Sequence, residues 1–374
     1  MGTRELDPRL KELYDSGVPV YSISRLDCIN RCLYEAYLTY KLHKKSKQNI
    51  YGVLGSRVHD TLEAITHGEK TEADLWPAVQ QEFEDLDMLG IEFPKDFSGG
   101  DSIRDGWLSN MKHFCNTYIA PKGATLKTEE LFIYTSPKGR KLQGYIDLQQ
   151  VKKDGSVNIY DYKTSAMYKG EALKEHGRQL VVYQLGLEQM GLKVNKVAWI
   201  MLKYVTVTYE GYKTVKSKNK TTISKDIERR KIAKELLKPV IREMEDQGYD
   251  SVDISMATES FLEANDFKAL PESVAEKFIM KPCVIEYEVT DDIKKECEDY
   301  IDTTADLWES LGDNEENYPH MPFTRITKTG KEANESFYCN SLCGHCEHCP
   351  HIKNFNEHFS ALSEEQEEEN SLFE

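Results

Sequence analysis

No stretch of the 374 residues approaches 18 consecutive apolar side chains, so a membrane-spanning helix is excluded on length. The opening MGTRELDPRL lacks the apolar segment of a secretory signal, and the expected compartment is the cytoplasm. No internal repeat is visible, which sets aside a repeat array. No G-x-x-x-x-G-K-[ST] occurs, so these residues carry no P-loop motor. Positive charge is scarce: 48 Lys and Arg face 64 Asp and Glu, a net charge of -16, which excludes a general basic coat. Residues Ser363 to Glu374 contain no base at all and are expected to be disordered. What the chain does have is 39% hydrophobic and 30% charged residues, enough to bury a core in one large domain or two modest ones. It also has nine cysteines, four of them crowded between Cys339 and Cys349. In a reducing compartment such a crowd points to metal before disulfides.

The periodicity predicts an N-terminal helical part over 1–120. "YSISRLDCINRCLYEAYLTYKL" reads as one helix capped near Ser22 or Ser24. "YGVLGSRVHDTLEAITHG" reads as another, with Val58, Leu62 and Ile65 as its apolar stripe and His59 and Glu63 one turn apart beside it. The pattern then alternates. "TLKTEELFIYTS", "KLQGYIDLQQV" and "SVNIYDYKTS", parted by turn signals, predict a three-stranded antiparallel meander. A helix through "GRQLVVYQLGLEQMG" and the apolar strand "KVAWIMLKYVTV" complete a core over 121–210. Helices are expected at 225–247 and 291–311 with a strand "CVIEYEVT" between them, inside a helical and basic region over 211–335. A cysteine region over 336–360 and an acidic tail over 361–374 follow. The fold class is α/β, a mixed sheet flanked by helices.

On the last strand of the meander, Ile159, Asp161 and Lys163 share one face, and Tyr160 and Tyr162 the other. An acid and a base beside a buried isoleucine need partners. Asp147 lies on the neighbouring strand, and strands about 4.8 Å apart let two carboxylates converge on one hard cation. Such an ion lowers the pKa of an attacking water and neutralises phosphoryl charge, while a nearby lysine stabilises the transition state. A surface ion pair at a strand end would look the same in sequence. Between Lys213 and Lys238 ten Lys or Arg face three acids, which fits either a phosphate-tracking patch or a solvated face.

Asp147 followed by Asp161-x-Lys163 resembles the PD-(D/E)XK nuclease superfamily, whose restriction-endonuclease-like sheet the resemblance implies here. Further motifs are similar to the RecB-type exonuclease branch, which includes the CRISPR-adaptation nucleases. These are "G-x-x-x-H" ending at His59, "Q-x-x-x-Y" at Gln179 and Tyr183, and an "S-x-S" start followed by cysteines in "SISRLDCINRCLYEAY". The resemblance implies Mg²⁺ or Mn²⁺ held by His59, Asp147, Asp161 and the Tyr162 carbonyl, and phosphodiester hydrolysis through a metal-bound water. It gives Lys163, Gln179 and Tyr183 roles beside the reacting phosphate, with Glu130 a weaker candidate. It also implies a [4Fe–4S] cluster with one N-terminal and three C-terminal cysteines, stapling the two ends together. Cys32, Cys343, Cys346 and Cys349 are the preferred set, with Cys28 in reserve and Cys339 a substitute. The spacing C-x3-C-x2-C-x2-C departs from the branch's usual C-x2-C-x5-C, and the alternative is a zinc knuckle of Cys339, Cys343, Cys346 and Cys349, with His345, His348 or His351 as further candidate ligands. Cys115, Cys283 and Cys297 read as ordinary buried thiols.

The function implied is a DNA nuclease, an exonuclease of recombination, repair or phage DNA metabolism. A non-catalytic DNA-end-binding module, or a trimming subunit of a larger complex, is the alternative. DNA unwinding would come from a helicase or recombination partner. The tail's "NSLF", with Leu372 and Phe373, resembles the end of peptides that grip the bacterial sliding clamp, although Glu369 stands where those have glutamine.

Overall fold

In the computed structural model, Asp7 caps a first helix, α1 (Pro8–Asp15), through the Arg9 amide, and the chain runs through a short strand, β1 (Val20–Tyr21). The structure describes residues 6–96, 98–121, 125–212, 219–327, 330 and 332–358. The acidic tail and its "NSLF" lie outside these residues, as do Lys213, Lys216 and Lys218. The single helix expected from Ser22 is broken. Ser22 caps α2 (Ile23–Arg31), then Cys32 turns extended (φ -151°, ψ 104°) and the helix restarts as α3 (Leu33–Ala36). The Cys32 thiol takes the N-cap position of α3, accepting from the Glu35 amide at 3.4 Å. Helical periodicity continues across the break, so the sequence pattern hides it. Asn49 caps α4 (Ile50–Thr66), and α5 (Leu75–Met88) and α6 (Ser102–Thr117) pack on its apolar stripe of Leu54, Val58 and Leu62.

The meander is present, but two of its three strands are bent into two pieces. The first becomes β2 (Thr125–Lys127) and β3 (Glu130–Thr135), the second β4 (Lys141–Ile146) and β5 (Leu148–Val151). The breaks fall at Thr128–Glu129 and at Asp147. Glu129 adopts φ 53°, a left-handed conformation that a non-glycine residue holds only under local constraint. β3 and β4 form an antiparallel pair with β1 on the outer side of β4. β5 pairs antiparallel with β6 (Val157–Lys163), and β2 pairs with β5. Helix α7 (Glu171–Gln189) crosses over to β7 (Val194–Gly211), which runs parallel to β6. This is the βαβ connection that a parallel pair requires.

β7 continues beyond the core and pairs with β8 (Thr221–Glu228). Helices α8 (Ile232–Asp246), α9 (Ser251–Ala264) and α10 (Glu272–Ala275) bury a separate apolar cluster against that hairpin, including Ile227, Leu236 and Phe261. The segment then returns to the main body. β9 (Ile279–Tyr287) pairs with β7, and α11 (Asp291–Ser310) adds Cys297, Ile301 and Trp308 to the core shared by α2 and α7. A small hairpin of β10 (Thr324–Ile326) and β11 (Glu332–Asn334), then α12 (Phe337–Ser341) and a helix over 350–358, complete the described chain.

Candidate active site

The break at Asp147 places its carboxylate at the junction of the two sheets. Asp147 Oδ2 accepts the Tyr162 amide at 2.9 Å and stands 3.4 Å from His59 Nδ1. Helix α4 delivers His59, and Gly55, one turn earlier, faces the end of β6: a Cβ there would make van der Waals contact with Thr164 Oγ1 at 3.4 Å. Glu129 completes the group, since one donor atom each from His59, Glu129 and Asp147 lies within 4.8 Å of the others. One imidazole and two carboxylates suit a hard divalent cation. Electrostatics agree. Burial, then the neighbouring Asp161 carboxylate, pushes Asp147 well above the usual carboxylate range. Burial pushes His59 below its ordinary value and keeps the imidazole neutral, the form that ligates. The Tyr162 main chain also hydrogen-bonds His59.

A second row of side chains runs from the sheet to α7. Asp161 is 1% exposed, and its Oδ2 lies 2.6 Å from Lys163 Nζ. Burial acts to discharge Lys163, but the Asp161 carboxylate more than offsets it and holds the amine above its ordinary value. Lys163 Nζ donates to Gln179 Oε1 at 2.8 Å, and Gln179 Nε2 donates to the Tyr183 hydroxyl at 2.7 Å. Their four-residue spacing puts both on the face of α7 turned to the sheet. Tyr183 is itself set by Phe132, whose ring meets it edge-on with centroids 5.6 Å apart. Phe132 fits only because Gly144 and Gly186 flank it; a Cβ on Gly144 would fall 2.7 Å from the ring.

These groups border an open cleft of about 850 Å³ lined by His59, Glu63, Glu129, Tyr162, Lys163 and Tyr168, among others. The structure brings His59, Asp147, Asp161, Tyr162, Lys163, Gln179 and Tyr183 into one neighbourhood. Glu130 is a correction: it is exposed and pairs across the ladder with Ile146, while Glu129 enters the site. Read as one alternating strand, "KTEELF" gives no sign of the break that turns Glu129 inward.

The cysteines gather around a second, closed pocket. Cys32, Cys339, Cys343, Cys346 and Cys349 all line it with His345, whereas Cys28 does not. Among the described residues no three of these thiols lie within 4.8 Å of one another. The region is fastened to the loop before α4. The Lys47 amide donates to Gly344 O at 2.7 Å, and the Asn49 amide group donates to Leu342 O at 3.2 Å while its oxygen caps α4. Cys115, Cys283 and Cys297 are buried elsewhere.

Four of the bases in the described part of the basic segment are paired with acids of the same region, as a solvated face would have them. Lys220 binds Glu243 and Asp246, Lys225 binds Glu235, and Arg230 and Lys231 bind Glu228.

A mixed sheet with a β6–α7–β7 crossover, and acids and a lysine at its bent edge, defines a restriction-endonuclease-like fold. The chain belongs to the PD-(D/E)XK nuclease superfamily, whose sequence model matches residues 20–352. A crystal structure described as that of SSO0001 aligns over 86% of this chain and 95% of its own, at 12% identity and a TM-score of 0.26. No curated protein matches in sequence. No helix among the described residues is long and apolar enough to cross a membrane.

Proposed function

We propose that the protein is a metal-dependent DNA nuclease of the RecB-type branch, an exonuclease of recombination, repair or phage DNA metabolism. The observation that supports this most is the strand break at Asp147, which sets its carboxylate beside His59 and Glu129 and next to the Asp161–Lys163 pair. His59, Glu129 and Asp147 would hold Mg²⁺ or Mn²⁺, with Asp161 and the Tyr162 carbonyl adjoining. When bound, the ion lowers the pKa of water and neutralises phosphoryl charge. Lys163, kept charged by Asp161, offers its ammonium to the phosphate oxygens. Gln179 fixes the Nζ position and Tyr183 fixes Gln179, so the cation is pre-set rather than recruited.

Cys32, Cys343, Cys346 and Cys349 would carry a [4Fe–4S] cluster, with Cys339 a fifth thiol on the same pocket. Unwinding would come from a helicase or recombination partner in the cytoplasm, and the tail would reach a sliding clamp. The deciding assay is purified protein with Mg²⁺ or Mn²⁺ on end-labelled single- and double-stranded DNA. Loss of label from one end in steps supports the exonuclease, and no cleavage with either metal overturns the proposal.

A further inference from the structure

Behind the catalytic strand, on the face opposite Asp161 and Lys163, lies a cavity of about 210 Å³ that the nuclease chemistry does not use. It arises where the β7–β9 ladder slips between Ile200 and Val205, opposite Pro282. Its walls are apolar and aromatic, with Phe114, Tyr118, Tyr162 and Ile200 among them. Thr117, Lys281 and Arg229 add polar groups, and of the two cations Arg229 is the buried one, 6% exposed.

Arg229 is a buried cation without a counter-ion. Its Nε donates to Leu202 O at 2.8 Å, and one terminal nitrogen donates to Thr117 Oγ1 at 2.9 Å and meets His113 Nδ1 at 3.2 Å. All three acceptors are neutral, since burial and Arg229 together push His113 down to about 4. The adjacent acid is already committed, because Glu228 binds both Arg230 and Lys231. Among the described residues no carboxylate pairs with Arg229. A buried charge held only by neutral acceptors and the Phe114 ring is costly, and Nη2, the terminal nitrogen not engaged in these bonds, can donate to a carboxylate.

We infer that this cavity is a binding site for a small amphipathic carboxylate, its acid group on Arg229 and its apolar body against Phe114 and Ile200. Size sets the class. A dry cavity of about 150 Å³ holds benzene, so this one takes roughly eight or nine non-hydrogen atoms, an aryl acid or a short fatty acid. No DNA and no metal enter the argument, so the site stands or falls independently of the nuclease reading.

Benzoate is the probe, with benzyl alcohol supplying the same body without the charge and acetate the charge without the body. Calorimetry on the full chain should show one benzoate per chain, bound at least ~10-fold more tightly than benzyl alcohol, with no acetate binding. Saturating benzoate should raise the melting temperature by at least ~2 °C. Arg229→Lys should keep a preference for the acid, and Arg229→Met should erase it. Should Arg229→Met not fold, a crystal structure of the wild type with benzoate replaces it, and the carboxylate should lie on Arg229. Equal affinity for the acid and the alcohol, no binding of benzoate, or benzoate seated away from Arg229 each overturns the assignment.

Discussion

Removing the Lys163 amine should abolish cleavage while leaving the chain folded, because the side chain ends in the cleft and its loss removes charge rather than packing. Lys163→Ala and Asp161→Ala are therefore expected to show no activity on end-labelled DNA with unchanged circular dichroism, and wild-type cleavage by either would move the chemistry elsewhere. Glu129 separates the structural reading of the metal group from the sequence reading. Glu129→Gln should weaken Mn²⁺ binding at least ~10-fold by titration, whereas Glu130→Gln should leave it unchanged. His113 supplies a pH test remote from the metal. Its folded value of about 4 lies below its ordinary 6.5, so the folded chain resists a proton that the unfolded chain accepts. Its contribution is complete above pH 6.5 and is lost as pH falls towards 4, about 3 kcal/mol at most. Denaturant titrations of His113→Gln across that window should show a flatter dependence than wild type.

Two bent strands make the active site and one broken helix shapes the cysteine pocket, and these are the features that alternation and helical periodicity do not encode. Asp161, Lys163, Gln179 and Tyr183 were legible because regular elements carry them, and spacings of two and four fix their faces. Glu129 and the position of Asp147 were not, since "KTEELF" and "GYIDLQ" alternate straight through their breaks. The helix break at Cys32 was hidden in the same way, although the choice of Cys32 over Cys28 did not depend on it. Where the pattern could speak for itself, as with Ile159 facing α7 and Tyr162 facing α4, the faces are as expected. At this scale the Phe132 seat is the sensitive point. Gly186→Val drives a side chain into that ring and should cost about 2–3 kcal/mol in chemical denaturation. It should also slow cleavage, because Phe132 positions Tyr183 and through it Gln179 and Lys163. Unchanged stability in that variant would mean that the ring has room to move.

Over the whole molecule, the cysteine pocket joins residue 32 to residues 339–349, and its loop grips the cap of α4. Anaerobically purified protein should be brown, with broad absorbance near about 400 nm, as thiolate-held iron–sulfur gives. Colourless protein with stoichiometric zinc would replace the cluster. Cys346→Ser should lower the melting temperature more than Cys115→Ser, since only the first unties distant segments. The same closure has a bearing on synthesis. His59, Asp147 and Asp161 leave the ribosome long before Cys343 does, and roughly 300 residues separate Cys32 from the cysteines it must meet. At about 5–20 residues per second that gap lasts roughly 15–60 s. Through this interval helix α4, which carries His59, has no latch on its first turn. A chain truncated before Cys339 is therefore expected to melt at a lower temperature and to bind Mn²⁺ more weakly in titration than the full chain.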